Sequence, residues 1–390
     1  MVEKFPDSGS PDLRSLYLPP EASGVRWLLD PDSTQVRALA AEAESRSGGD
    51  SCDWRALAAD LPDLDILLQE RHFALATGLV NPDGTEALLR EWRQYLENER
   101  PGTWGTALAA WVHKLRWAVG DNHLRVPGED PAQYAAADPR AGEPVADRDA
   151  GPIITEQVLD GVLCLRIRQF GGRSKEAGEL ASAWERDHAR HFEYDRIIVD
   201  LRGNSGGSET YLSGWISDHV RFAVQRPPWT EWYIGDQSLS TWNTAVLFES
   251  VHGRGTMSAI YDRTNYTIGP RSELRVDVEE NAVVPPGADT WNGKMLVVTD
   301  RLSASAAEGA AWTLRTAFGA RIIGRPSAGM VAYGNITQYL LPRSGLSVNL
   351  ATASAGWSEL EMTGVSVDRP CDPRMALGDI AARFDSFYGE

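Results

Sequence analysis

The chain has little cysteine, almost no lysine and no long apolar run, and each shortage narrows what it does. Three cysteines in 390 residues, Cys52, Cys164 and Cys371, are too few, too scattered and odd in number for a disulfide framework or a zinc knuckle. They read as buried thiols. No stretch approaches the roughly 20 apolar residues that cross a bilayer. The opening residues, Met1 to Asp7, carry neither the basic stretch nor the apolar core of a secretory leader. A soluble cytoplasmic protein is expected. Only four of the 38 basic residues are lysines, namely Lys4, Lys114, Lys175 and Lys294. Acidic residues number 55, and the net charge of −17 excludes a general nucleic-acid or anionic-membrane binder, because phosphate binding needs a basic surface.

What is present is a globular composition, 42% hydrophobic and 24% charged, at a length that suits two domains of roughly 100–200 residues each. The first third reads as helices. Pro31-Asp32-Ser33 precedes a stripe of Val36, Leu39, Ala40 and Ala43, and a second apolar series runs from Leu64 to Phe73. Leu88, Leu89, Trp92, Tyr95 and Leu96 follow Asp83-Gly84-Thr85 at helical spacing, and Leu108, Trp111, Val112, Leu115 and Val119 form a further stripe that ends at Gly120. The tryptophans read as core of a helical domain over 1–124.

Residues 125–155, rich in Pro, Gly, Ala and Asp, read as a linker or crossing segment. From 156 to 390 the pattern alternates. Gly161–Phe170, Arg196–Arg202, Met295–Thr299 and Arg321–Gly324 are strand-like, and Lys175–Ala189, Tyr211–Trp215 and Ala306–Phe318 are helix-like. Strand, helix and strand in succession predict βαβ units and a mainly parallel sheet, so the class is α/β, or α+β with the helical domain included. Ile336–Leu341 and Leu346–Leu350 flank Pro342-Arg343-Ser344-Gly345 as a hairpin.

Two serines compete as nucleophile. Gly203-Asn204-Ser205-Gly206-Gly207 fits G-x-S-x-G between a strand and a helix, the setting of an α/β-hydrolase elbow. That fold places its histidine well downstream, and here no histidine follows His252. The second candidate is Ser305, in Ser303-Ala304-Ser305-Ala306-Ala307-Glu308, where a helix begins. Free N–H groups there favour an oxyanion, and an ordinary helix cap is the alternative.

The surrounding motifs bear on that choice. Asp200-Leu201-Arg202-Gly203-Asn204-Ser205-Gly206-Gly207 resembles the D-L-R-x-N-x-G-G segment of the S41 serine peptidases, the family of C-terminal processing proteases and tricorn. Ser303–Glu308 resembles its S/T-A-S-A-x-E motif, Ile323–Gly329 its I-G-x-x-T-x-G segment, and Gly364–Asp368 its G-V-x-P-D segment, in the family's order. The resemblance implies a crotonase/ClpP-like βαβ core and Ser305 as nucleophile. It also implies Gly206, Gly207 and Ala306 as oxyanion-hole contributors. Residues 125–161 are too few for a PDZ module, and none is expected.

A Ser–Lys dyad meets the lysine shortage directly: no lysine follows Lys294, and Met330 stands where the dyad lysine would. The tricorn-like branch instead resembles a Ser–His–Glu arrangement with the histidine in a D-G-H type motif, and Gly120-Asp121-Asn122-His123 is similar to it. His123 is the base so implied. Glu361 is the implied acid, with Glu359 its rival, and Asn122 replaces a serine of that branch as possible support. The expected activity is peptide hydrolysis through an acyl-enzyme, with no metal or cofactor. Another ester or amide hydrolase acting on a small peptide product, and a non-catalytic ligand binder, are the alternatives. The aromatic segment 227–242, with Trp229, Trp232, Tyr233 and Trp242, is open between core, lid and the lining of an apolar pocket.

Overall fold

A computed structural model describes residues 54–76, 78–99, 104–125, 152–170, 189–207, 290–340 and 347–389, with shorter stretches that include 219–225, 229–234 and 274–279. The helix expected over Val36–Ala43, nearly all of the one over Lys175–Ala189, most of Tyr211–Trp215, most of the 125–155 segment, and Cys52 lie outside the described residues. The longer helices are α1 (Trp54–Arg71), α2 (Asp83–Asn98), α3 (Trp104–Val119) and α4 (Ala306–Phe318), and two short ones, α5 (Leu377–Ala382) and α6 (Phe384–Tyr388), follow. The strands used below are β1 (Ile154–Leu159), β2 (Val162–Ile167), β3 (Arg196–Asp200), β4 (Trp229–Ile234), β5 (Leu274–Glu279), β6 (Lys294–Thr299), β7 (Arg321–Gly324), β8 (Tyr333–Leu340), β9 (Ser347–Ser354) and β10 (Arg369–Pro370). None of the helices among the described residues is long and apolar enough to cross a membrane.

The chain divides into two compact units. The first comprises Met1–Ala141, Trp229–Glu279 and Tyr333–Gly356. Its helices are amphipathic in the way the sequence predicts. In α1, Leu57, Leu61, Leu64 and Leu68 recur at helical spacing and are all buried. In α2 the buried face is Thr85, Leu89, Trp92 and Leu96, and Trp92 stacks on Trp111 of α3 with ring centroids 5.9 Å apart. Each leucine so buried contributes about 1.5–3 kcal/mol. The opposite face of α2 carries the i,i+4 pairs Glu86–Arg90 and Glu97–Arg93. In the same unit β8 and β9 form the expected hairpin, β9 pairs with β4, and β4 pairs with β5, all antiparallel. The aromatic segment thus supplies a sheet strand.

The second unit comprises Gly142–Pro228, Glu280–Ala332 and Trp357–Glu390. Its sheet has the order β10-β7-β6-β3-β2-β1; β1 runs antiparallel to β2, and the other neighbours are parallel. The sheet is mixed α/β and mainly parallel, as expected. The apolar runs of its central strands have a direct cause, since parallel strands are covered on both faces. Ile197 and Val199 of β3 and Met295 and Val297 of β6 join a core with Ala307, Ala310, Ala311, Leu314, Ala317 and Phe318 of α4. The alternate residues Ile198, Leu296 and Val298 join a second core with Ile380, Ala381 and Phe384 of the C-terminal helices. Arg202, buried just beyond β3, clamps that C-terminal segment. It pairs with Asp200 at 2.7 Å and donates to the carbonyls of Pro373 and Met375. Cys164 and Cys371 are buried free thiols, and burial pushes that of Cys164 up to about 12.

Candidate active site

Parallel α/β sheets place their sites beyond the carboxyl ends of the strands. Strands β3, β6 and β7 are neighbours, so the three loops that follow them emerge side by side: Gly203–Gly207, Asp300–Ser305 and Arg325–Met330. Hydrogen bonds tie them together. Asp300 Oδ1 accepts the Gly203 N–H at 3.0 Å, Asn204 O accepts the Ala304 N–H at 2.9 Å, and Ser303 O accepts the Ala328 N–H at 2.8 Å.

At the end of the second loop the backbone turns sharply from strand to helix, and Ser305 occupies the turn with φ +56° and ψ −122°. Few non-glycine residues adopt a positive φ, and the conformation costs of order 1–3 kcal/mol when held by its surroundings. The restraint here is Glu308. Its Oε2 accepts the N–H groups of Ser305 (3.0 Å) and Met330 (2.7 Å), and its Oε1 accepts Ser327 Oγ–H (2.6 Å) and the Gly329 N–H (2.8 Å). Burial raises the Glu308 carboxyl above its ordinary value despite these four donors.

Gly206 is pressed against the serine: a Cβ there would stand 2.7 Å from Ser305 Cβ and 2.9 Å from Ala304 O. Its own N–H donates to Asn204 Oδ1 at 2.8 Å. No described hydrogen bond takes the N–H of Gly207 or of Ala306, the first residue of α4. Ser205 is exposed on the outer side of the glycine turn. Ser327 and Gly329 then reach the last segment, where Ser327 Oγ accepts the Val365 N–H and Gly329 O accepts the Met362 N–H. Glu361, in that segment, is buried and accepts the N–H groups of Val331 and Ala332, each at 2.8 Å. Glu359 is exposed. All four motif segments therefore meet in the second unit.

A model of the family described as Peptidase family S41 matches residues 161–365, more than half of the chain. The chain belongs to peptidase family S41. No curated protein matches the sequence. Among solved structures, this S41 peptidase is similar to a lipoprotein from Streptococcus agalactiae at 11% identity and TM-score 0.43, covering 84% of this chain and 94% of that one. Mature CPAF is similar at 12% identity and TM-score 0.47, covering 81% and 92%. The photosystem II D1 C-terminal processing protease is similar at 12% and 0.39, covering 92% and 98%.

In the first unit of the S41 chain, His123 and Asn122 are both buried, in the turn that follows α3. Helix α3 ends at Gly120, whose N–H donates to Arg116 O, and buried Arg116 donates from Nε to Leu124 O, closing the turn from beneath. Arg125 then exchanges two backbone hydrogen bonds with Asn349 of β9. Two residues here escaped the sequence reading. Asp121 was seen only as a letter of the motif, and its partner His72, 49 residues away, has no motif at all. Glu308 stood in the sequence only as the last letter of the Ser303–Glu308 motif, and its bonds to Gly329 and Met330 were not legible there.

Proposed function

We propose that this S41 peptidase is a serine peptidase of the tricorn-like kind. In this reading Ser305 attacks a peptide carbonyl, His123 takes the hydroxyl proton, and Glu361 stabilises the imidazolium. The observation that carries the reading is the strained turn at Ser305. It holds a hydroxyl at the N-terminus of α4 with a glycine pressed against it and two uncommitted amides alongside. The N–H groups of Gly207 and Ala306 would hold the oxyanion, each such donor being commonly worth about 10²–10³ in kcat. Gly206 contributes by its missing Cβ, which lets the turn close on the serine. His123 then returns its proton to the leaving amine, and water releases the acyl group. The burial of Glu361, against the exposure of Glu359, supports Glu361 as the acid. Asn122 would support the histidine from the adjacent position. The substrate is a peptide or peptide-like chain.

A fluorophosphonate probe tests this, because only an activated serine reacts. Labelling of the wild type that is lost in Ser305→Ala, with cleavage of members of a peptide library, is the expected result. A wild type that neither labels nor cleaves would make the protein a ligand-binding relative instead.

A further inference from the structure

The turn that carries His123 is built around a buried carboxylate. Asp121 is fully buried, and its two oxygens face two histidines. Oδ1 accepts the His123 backbone N–H at 2.7 Å and lies 3.5 Å from His123 Nδ1. Oδ2 lies 2.8 Å from His72 Nε2. A carboxylate only accepts, so the hydrogen of that bond sits on His72 Nε2. His72 is itself fully buried, just beyond α1, and its ring packs against Tyr333 of β8 at 5.7 Å. Its other nitrogen, Nδ1, meets no hydrogen-bond partner among the described residues. Among the described residues the imidazole makes one hydrogen bond, to Asp121.

A fully buried carboxylate is costly unless its charge is matched by donors. Burial works to raise the Asp121 carboxyl, but its bonds to His123 and His72 outweigh burial and hold it well below the ordinary carboxylate range. The group is therefore an anion, fixed at both oxygens, beside the imidazole of His123. A plain turn needs no such device: α3 is already closed by Gly120, and the chain after it by Arg116 and Asn349.

We propose that Asp121, braced by His72, is a positioning residue that fixes the backbone and ring of His123 for proton transfer. The inference rests on the reading of His123 as the general base. It adds a second carboxylate and a second histidine to that base.

The test is a double-mutant cycle in the full chain. Asp121→Asn is made with and without His123→Ala, and kcat and KM are read on a fluorogenic peptide that the wild type cleaves, together with the rate of fluorophosphonate labelling. Asn keeps the size of the side chain but not its charge. The expected result is a fall in kcat of about 10²-fold, the scale of a roughly 1 Å misplacement of a reacting group, with KM little changed. In the His123→Ala background Asp121→Asn should change the residual rate by less than about twofold, because residues acting through one group do not add. A residue that served folding alone would lower both backgrounds equally, and that outcome overturns the proposal. If Asp121→Asn does not fold, His72→Ala and His72→Gln decide. The alanine should slow labelling, and the glutamine, which restores a donor, should recover most of the loss; equal rates in the two overturn the proposal. If His123→Ala labels and cleaves as the wild type does, or the wild type does neither, the base assignment has failed and this inference falls with it. If His123→Ala is inactive while Asp121→Asn matches the wild type, only the inference fails.

Discussion

Gly206 and Ser305, 99 positions apart in the sequence, approach so closely that a single methyl group on the glycine would stand 2.7 Å from the serine's Cβ. The glycine also sits at φ +102°, where L side chains are strained. Gly206→Ala should therefore push the two loops apart. The expected outcome is a loss of about 10²-fold in kcat/KM and a destabilisation of about 1–3 kcal/mol, read from peptide cleavage and urea unfolding. Unchanged kcat/KM would show that the closeness of the two loops is irrelevant to the reaction.

The two candidate serines separate by substitution. Ser305→Ala should abolish labelling and turnover while the urea midpoint stays near that of the wild type. Ser205→Ala, at an exposed position, should keep most activity. Greater loss at Ser205 would restore the α/β-hydrolase elbow as the nucleophile.

A histidine base and a lysine base differ in pH dependence. The kcat/KM profile should rise through one limb at about pH 6–7.5, where an ordinary or modestly shifted histidine loses its proton. A limb several pH units higher would rule out a histidine base.

Glu308 predicts a stability that depends on pH with an uncommon sign. Its carboxyl is raised above the ordinary value of 4.5 in the folded state, so the folded chain holds this proton more tightly than the unfolded chain does. Its contribution to stability should fall as pH rises from about 4.5 through the folded value. Glu308→Gln should remove that slope. It should also destabilise the fold by about 3 kcal/mol or more, since the amide nitrogen would face two donors in place of an acceptor. Urea midpoints across pH 4–8 (about the range of interest) check both; a slope that persists in the variant sinks the assignment.

Removing one partner of a buried, hydrogen-bonded ion pair leaves the other charge stranded. Arg202→Met, which removes the guanidinium bonded to both oxygens of Asp200 and leaves only the more distant Arg166 beside it, and which frees the Pro373 and Met375 carbonyls, should cost about 3–5 kcal/mol. It should also make the C-terminal helices exchange amide hydrogens sooner than the sheet does. A loss within the error of the urea measurement would mean that the clamp is idle.

The second unit was legible because its evidence is local. The stretches Ile197–Val199 and Met295–Val298 are apolar at every residue because both sheet faces are covered, and Ala306–Phe318 has the period and small residues of a helix that packs close. Strand β1 escaped because it lies on the sheet edge, and Glu156, Gln157 and Val158 are exposed; an edge strand needs no apolar run. The composition of the first unit escaped for another reason. Trp229–Tyr233 is rich in the aromatic residues that strands favour, but nothing within it says that β5 and β9 are its neighbours. The same holds for His72 and Asp121, since a bond across 49 residues leaves no spacing to read.

The first unit takes its parts from three separated stretches of sequence, and that has a consequence for how the protein is born. Helices α1 to α3 leave the ribosome early, yet β9, against which α1 packs and to which Arg125 bonds, is made more than two hundred residues later. At about 5–20 residues per second the nascent helices wait on the order of ten seconds or more before the strand that α1 packs against exists. The histidine turn is not anchored to its strand until nearly the whole chain exists. In the proposed reading the loop of the nucleophile is made before the turn of the base is anchored, and a chain released between the two carries the first without the second.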